Sequence, residues 1–160
     1  MINKHDFLPV LDEESYQKAF EYIASQARML AHKVLGREMM IDTVTVFTHQ
    51  PEEYEFLERF LKTQGEVSPF SHGATLYVEV DKVALGNKVQ LLGARQPDET
   101  RPEVGYADFP VPNYEQIKEE NLKNEHVSEI ESGNGIKLLE LMHPEFDVRG
   151  YIVNEQGQES

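Results

Sequence analysis

One order of elements, a strand, a helix and three more strands, is predicted twice along this chain of 160 residues. The first copy spans residues 40–94 and the second spans 104–160, with a linker at 95–103 that contains two prolines and no apolar period. The copies also share letters at a constant offset, since Tyr54-Glu55 corresponds to Tyr114-Glu115. This duplication predicts an α+β fold of two tandem βαβββ modules within one compact domain.

The elements of each copy are predicted from short apolar patterns and turn residues. In the first copy, β-branched and aromatic residues predict a strand at 41–47, and Pro51 and Gly65 mark the ends of an amphipathic helix. Three more extended segments are predicted near residues 66–71, 74–80 and 88–94. In the second copy Pro112-Asn113 opens the helix, and extended segments are predicted at 106–111, 127–131, 136–142 and 149–154.

Residues 1–39 precede the repeat and are predicted to form a helical extension. Between residues 12 and 36, apolar side chains recur at spacings of three and four, at Tyr16, Phe20, Ile23, Ala27, Leu30 and Val34. Asp12 can cap the start of this helix and Gly36 can end it. We interpret the helix as packed on the body of the protein. A dimer seam is the alternative, because the stripe has heptad spacing, so a monomer or a homodimer is expected.

The composition limits the partners. A formal charge of −14, from 29 acidic and 15 basic residues, repels phosphate backbones and anionic lipid, so no nucleic-acid or membrane partner is expected. The chain has no cysteine, which excludes disulfides, thiolate nucleophiles and zinc sites of the cysteine type. It has no apolar run of about eighteen residues, as a membrane span requires, and no apolar segment typical of a signal peptide. These features predict a cytoplasmic protein.

Two stretches within residues 41–112 resemble a known superfamily. They are Asp42-Thr43-Val44 with His49-Gln50, Arg59 and Gly65-Glu66, and, after the linker, Gly105-Tyr106-Ala107-Asp108. Together with the duplicated βαβββ unit, they make the chain similar to the glyoxalase / bleomycin-resistance / extradiol-dioxygenase group, the vicinal oxygen chelate superfamily. Within that group the chain is most similar to the YecM-type proteins. The resemblance implies a curled, cup-shaped sheet whose interior carries a metal ion bound by His and Glu.

The sequence departs from this family at the implied metal ligands. Thr43 occupies the position of the first-strand histidine, Gly93 that of the acidic residue in the last strand of the first module, and Asp108 that of the histidine that opens the second module. A threonine hydroxyl and a glycine do not replace imidazole and carboxylate as ligands of a divalent transition metal. We therefore expect no metal and no cofactor, and we assign no catalytic residues.

Strand alternation predicts which side chains line the cup. They are Thr43, Thr45 and Phe47 of the first strand, then Tyr77, Glu79, Tyr106 and Asp108, and Glu140 by pseudo-symmetry with Glu79. Aromatic rings beside carboxylates favour a small cationic ligand. The rival interpretation is that Arg95, Arg101 or Arg149 pairs with these carboxylates and leaves no site.

Three functions are open on this sequence. The preferred one is a small-molecule-binding protein that is not an enzyme and needs no metal. The first alternative is a metal-dependent lyase, isomerase or dioxygenase of the same superfamily that uses Asp108, Glu140 and Glu79 as substituted ligands. The second alternative is a protein-interaction module that binds its partner through the N-terminal helix.

Overall fold

The computed structural model describes residues 5–84, 86–132 and 135–155. Within these residues the chain forms the helices α1 (Glu13–Leu35), α2 (Pro51–Gln64) and α3 (Tyr114–Glu120). The strands are β1 (Thr43–Phe47), β2 (Glu66–Val67), β3 (Thr75–Ala84), β4 (Asn87–Arg95), β5 (Gly105–Val111), β6 (Val127–Glu131), β7 (Lys137–Leu141) and β8 (Val148–Asn154). After α1, the order strand, helix, three strands occurs twice, as the sequence predicts.

The strands form one curled, unclosed sheet in the order β2-β3-β4-β1-β5-β8-β7-β6. The two modules meet at the antiparallel pair of β1 and β5. On either side of this seam the next pair is parallel, β1 with β4 and β5 with β8, and the outer pairs are antiparallel. The order of strands is thus the same when it is read outward from the seam in either direction. The predicted α+β fold of two tandem βαβββ modules is confirmed, while the exact domain boundaries stay a prediction.

Helix α1 covers the convex face of the sheet. Asp12 accepts a hydrogen bond from the backbone N–H of Ser15 at 2.8 Å, and Gly36 ends the helix with a left-handed φ of 73°. The apolar stripe packs against β1, β5 and β8, and Phe20 and Leu30 are fully buried there. Burial of each such side chain stabilises the fold by about 1.5–3 kcal/mol. The stripe is therefore covered by the sheet of the same chain, and the oligomeric state, a monomer or a homodimer, stays a prediction.

A close approach between helix and sheet occurs at the seam itself. A Cβ atom at Gly105 would lie 2.2 Å from the Thr45 carbonyl oxygen and 2.6 Å from the Ile23 side chain. Only a glycine lets α1 and β1 come this near to the start of β5. The contact fixes α1 directly over the line at which the two modules join.

Strand alternation separates the two faces as predicted. Val44 and Val46 belong to the core under α1, together with Phe109. Phe47 and Tyr106 instead form a smaller apolar cluster on the concave face, with Tyr151 and Val153. The concave face is therefore lined by aromatic side chains from both modules.

Candidate functional site

The concave face carries two adjoining cavities, of about 350 and about 310 Å³. Tyr77, Asp108 and Leu138 belong to the walls of both, so together the cavities form one open trough, which we call the groove. The first cavity lies beside the start of β1, at Thr43, and the second beside its end, at Phe47. The groove therefore runs along β1 and borders both modules.

The groove brings together most of the side chains that strand alternation assigns to the cup. Six of the eight line it, namely Thr43, Phe47, Tyr77, Glu79, Tyr106 and Asp108. Thr45 is fully buried and lines neither cavity. Glu140 lies outside both linings.

A tyrosine ring fills the space above Gly93. In the sheet register Gly93 lies between Tyr77 on β3 and Thr45 on β1. A Cβ atom at Gly93 would lie 2.6 Å from Thr45 Oγ1 and 2.8 Å from the Tyr77 ring, which is shorter than a van der Waals contact. The acidic side chain that the resemblance implies at this position therefore has no room unless the Tyr77 ring moves.

Two neutral phenols and a phenylalanine form the aromatic part of the groove. The hydroxyls of Tyr77 and Tyr106 are hydrogen-bonded to each other. Burial raises the pKa of both phenols above the usual value, so both stay protonated at physiological pH. The ring of Phe47 lies 5.4 Å from that of Tyr106, between ring centroids. These rings offer flat apolar surface and no ionised nucleophile.

Asp108 and Asp42 place two carboxyl groups at the first cavity. They lie side by side because the backbone N–H of Asp42 donates to the Asp108 carbonyl oxygen at 3.1 Å. Burial raises the pKa of Asp108 well above its usual range, and the charge of Asp42 adds to the rise. Burial also raises the pKa of Asp42, although the Thr43 hydroxyl, which donates to it at 2.9 Å, partly offsets this. Both carboxyl groups would be stabilised as anions by a nearby cation.

No cationic side chain among the described residues pairs with Asp108. Within 5–84, 86–132 and 135–155, no side chain forms a hydrogen bond or an ion pair with its carboxyl group. Glu79, at the mouth of the same cavity, is exposed and likewise has no such partner among these residues. The first cavity therefore has a negative end with apolar walls from Leu91 and Leu138.

Glu140 is neutralised inside the protein. Arg149 donates to one of its carboxylate oxygens at 3.2 Å, and the Tyr151 hydroxyl donates to the same oxygen at 2.9 Å. Arg149 also donates to Glu103 at 2.8 Å and to the carbonyl oxygen of Thr100 at 2.9 Å. The internal pairing that the sequence left open thus occurs at Glu140, through Arg149.

The other two arginines considered as internal partners lie at the second cavity. Arg95 and Arg101 both line it, and both share the carboxylate of Asp98, at 3.3 and 3.7 Å respectively. Arg95 also donates to the Thr75 hydroxyl at 3.2 Å. Neither pairs with Asp108 in the described residues, so the groove has a negative end and a positive end.

Sequence reasoning missed several residues of the groove. Asp42 immediately precedes β1, and Arg101 belongs to the linker, where no strand alternation assigns a face. His72 lines both cavities from the turn between β2 and β3. Tyr151 and Val153 lie on β8, where the alternation used for β1 and β3 would have indicated them.

The residues at the implied metal positions do not fit a transition metal. In the part of the chain that the structure describes, no three His, Asp, Glu or Cys side chains are grouped so that they could hold a metal ion. Thr43 and Gly93 offer no imidazole or carboxylate, and Glu140, which the enzyme alternative requires, is bound to Arg149. We therefore derive no chemistry through a metal.

Comparison with known proteins gives the fold. No family model and no curated protein matches the chain. A solved structure of structural-genomics protein EC4020 has 13% identity and a TM-score of 0.64, over 90% of this chain and 89% of that one. Hypothetical protein BH1468 from Bacillus halodurans C-125 has 11% identity and a TM-score of 0.46, over 74% of this chain and 95% of that one.

A third solved structure is a glyoxalase/bleomycin resistance protein/dioxygenase superfamily member from Vibrio splendidus 12B01. It has 9% identity and a TM-score of 0.42, over 69% of this chain and 96% of that one. At such an identity the likeness to protein EC4020 shows a shared fold alone. The closer similarity to YecM-type proteins stays a prediction. None of the described helices is both long and apolar enough to span a membrane.

Proposed function

We propose that this chain is a glyoxalase-like small-molecule-binding protein that is not an enzyme, needs no metal, and binds a ligand with a cationic group. The observation that carries the proposal is Asp108, a carboxyl group in a groove beside Asp42 with no cationic partner among the described residues. Two like carboxyl groups so placed favour either protonation or a bound cation. A protonated amine in the first cavity would pair with both carboxyl groups.

The walls of the groove support a ligand with an apolar body. The rings of Phe47, Tyr77 and Tyr106 line the groove, and Leu138 borders both cavities. Ligand sites of small molecules commonly combine such apolar walls with a few polar groups that fix orientation. A cation beside aromatic faces gains about 0.5–2 kcal/mol in addition to its ion pair.

Metal independence is supported by packing as well as by residue type. The Tyr77 ring fills the space of the implied acidic ligand at Gly93, and its hydroxyl is held by Tyr106. Recruitment of Glu140 as a substituted ligand would require it to leave Arg149 and Tyr151. Both features disfavour the metal-dependent alternative.

The interaction-module alternative is disfavoured by the position of the α1 stripe. Phe20 and Leu30 have no exposed surface, because they are buried against the sheet. A partner could reach them only if α1 left the protein.

Binding of amines by the wild-type protein and by Asp108→Asn tests the proposal. We expect primary alkylamines to raise the melting temperature of the wild type, and alkanoates of the same length to raise it less. The shift with amines should disappear in Asp108→Asn. Glu55→Gln is the matched control, since it removes one carboxylate from the exposed surface of α2 and should keep the shift. If amines give no shift in the wild type, or an equal shift in Asp108→Asn, the proposal is wrong.

A further inference from the structure

The two ends of the groove carry opposite charges. Asp42 and Glu79 line the first cavity, Asp108 borders both cavities, and Arg95 and Arg101 line the second. The sheet register fixes this separation, because Thr43 is opposite Asp108 and Phe47 is opposite Arg95. Four residues of strand separate these rows, which corresponds to about 13 Å along β1. A ligand that lies along β1 therefore meets an acidic end and a basic end.

The guanidinium groups retain unused donors. The Nε of Arg101 lies 3.7 Å from Asp98, beyond a hydrogen bond, and the guanidinium carbon lies 5.8 Å from the centre of the Phe47 ring. In the described part of the chain, the buried Nε atoms of Arg101 and Arg95 have no hydrogen-bond acceptor. Asp98 is shared between the two arginines, so one carboxylate faces two cations. An arginine presents five N–H donors that suit a carboxylate.

Besides Asp108, which borders both cavities, one further acidic side chain borders the second cavity. Glu131 lines it from β6, and its side chain is exposed to solvent. Water screens an exposed charge more effectively than a half-buried one. Arg101 is half-buried, with 27% of its side chain exposed, so it dominates the interaction with a ligand inside the cavity.

We propose that the ligand is a zwitterion, with a protonated amine at Asp108 and a carboxylate at Arg101 and Arg95. Its apolar spacer lies along Tyr77 and Leu138, which belong to both cavities. This inference rests on the proposed function, because it keeps the amine at Asp108, and it adds the second charge and the direction in which the ligand lies.

Three eight-carbon probes separate the contributions of the two ends: octylamine, octanoate and 8-aminooctanoate. Isothermal titration at one ionic strength should show that 8-aminooctanoate binds the wild type at least about tenfold more tightly than either single-charge probe. Arg101→Gln should lower the affinity for 8-aminooctanoate toward that for octylamine, with Arg95 as the remaining cation, and should leave the affinity for octylamine unchanged. Asp108→Asn should weaken the binding of both amines. Glu55→Gln should change none of the three.

Arg101→Lys shows whether the charge of Arg101 or its packing on Phe47 is responsible. This variant keeps the charge, so it should keep a preference for 8-aminooctanoate over octylamine. If it loses the preference as completely as Arg101→Gln, the inference is wrong, and circular dichroism of both variants shows whether they are folded.

The remaining outcomes distinguish the inference from the proposed function. If octylamine binds as tightly as 8-aminooctanoate and Arg101→Gln changes neither, the zwitterion is wrong while the amine site stands. If octanoate binds as tightly as 8-aminooctanoate and octylamine does not bind, the zwitterion and the cationic class are both wrong. If none of the three probes binds the wild type, both proposals are overturned.

Discussion

The two modules carry a carboxylate at the same place on the concave face, but its surroundings differ between them. Glu79 on β3 pairs in register with Leu91, and its counterpart Glu140 on β7 pairs in register with Tyr151. Glu79 is exposed at the mouth of the first cavity, whereas Glu140 is held by Arg149. The first module therefore leaves this carboxylate exposed to solvent, whereas the second pairs its own inside the fold.

The comparison teaches that a duplicated frame does not imply duplicated sites. The register at the seam is symmetric. Gly93 in the first module corresponds to Val153 in the second, because equivalent residues of these strands lie 60 positions apart. The Tyr77 ring lies over the glycine, while Val153 borders the first cavity with its own side chain. Three substitutions test how far the halves have diverged.

Arg149→Met should have the largest effect on stability. It leaves Glu140 and Glu103 largely buried without their cation, since only 15% and 13% of these side chains are exposed. Removal of one partner from a buried ion pair typically costs about 3–5 kcal/mol in free energy of unfolding. Urea unfolding of the wild type and of Arg149→Met measures this loss in free energy of unfolding.

The control for that substitution is Arg37→Met, which breaks the exposed pair with Glu120. Exposed pairs contribute about 0–1 kcal/mol, so little change is expected. If Arg149→Met and Arg37→Met lose equal stability, the second module does not depend on its internal ion pairs.

Gly93→Ala should have an intermediate effect. The new methyl group would overlap Thr45 and the Tyr77 ring, and overpacking of this kind costs about 1–3 kcal/mol. Val153→Ile adds a methylene at the counterpart position, where the side chain borders open space, and should cost less than about 1 kcal/mol. Chemical denaturation gives the free energy of unfolding of both variants. Equal losses of this free energy would show that the Tyr77 ring moves aside at no cost in stability.

Asp108→Asn should have an effect of opposite sign. Burial raises the folded-state pKa of Asp108 above the unfolded value of about 3.9, so the folded protein binds this proton more tightly. Stability of the wild type therefore falls as the pH rises from about 4 through the folded-state pKa. Asparagine stays neutral, so Asp108→Asn should be more stable than the wild type at pH 7 and equal to it at pH 3.

Thermal unfolding between pH 3 and pH 8 measures this difference. Glu140→Gln supplies the contrast from the other module, since it removes a carboxylate that accepts two hydrogen bonds and should destabilise the protein at pH 7. A loss of stability at pH 7 in Asp108→Asn would mean that its carboxylate has a favourable partner.

Much of the fold could be predicted because the signals that specify it are local. The predicted helix at 12–36 is α1 at Glu13–Leu35, and the alternation in β1 separates core from groove as expected. The prediction was wrong in length for β2, which ends at Val67, and for β3, which extends to Ala84 through a register shift between Glu79 and Lys82. A bulge of this kind depends on the pairing of strands, which no local period reports.

The charges of the groove could be predicted only in part. Strand alternation could assign Asp108 and Glu79 to the concave face. Which side chain pairs with each charge depends on how the strands are arranged in the whole sheet. Glu140 meets Arg149 because β7 and β8 pair, and Arg101 reaches the groove because the linker folds back over Phe47. Arg101 belongs to a loop without periodicity, so its contribution to the positive end of the groove lay outside what strand alternation predicts.

The position of α1 also affects the order in which the protein can fold. Helix α1 comes early in the chain, yet it packs on β8, the last strand. During synthesis its apolar face therefore stays without its full partner until β8 has left the ribosome. Such long-range contacts slow folding and expose apolar surface to aggregation in the meantime. The charge of −14 on the 160 residues keeps chains that have not yet folded apart, which lowers their tendency to aggregate.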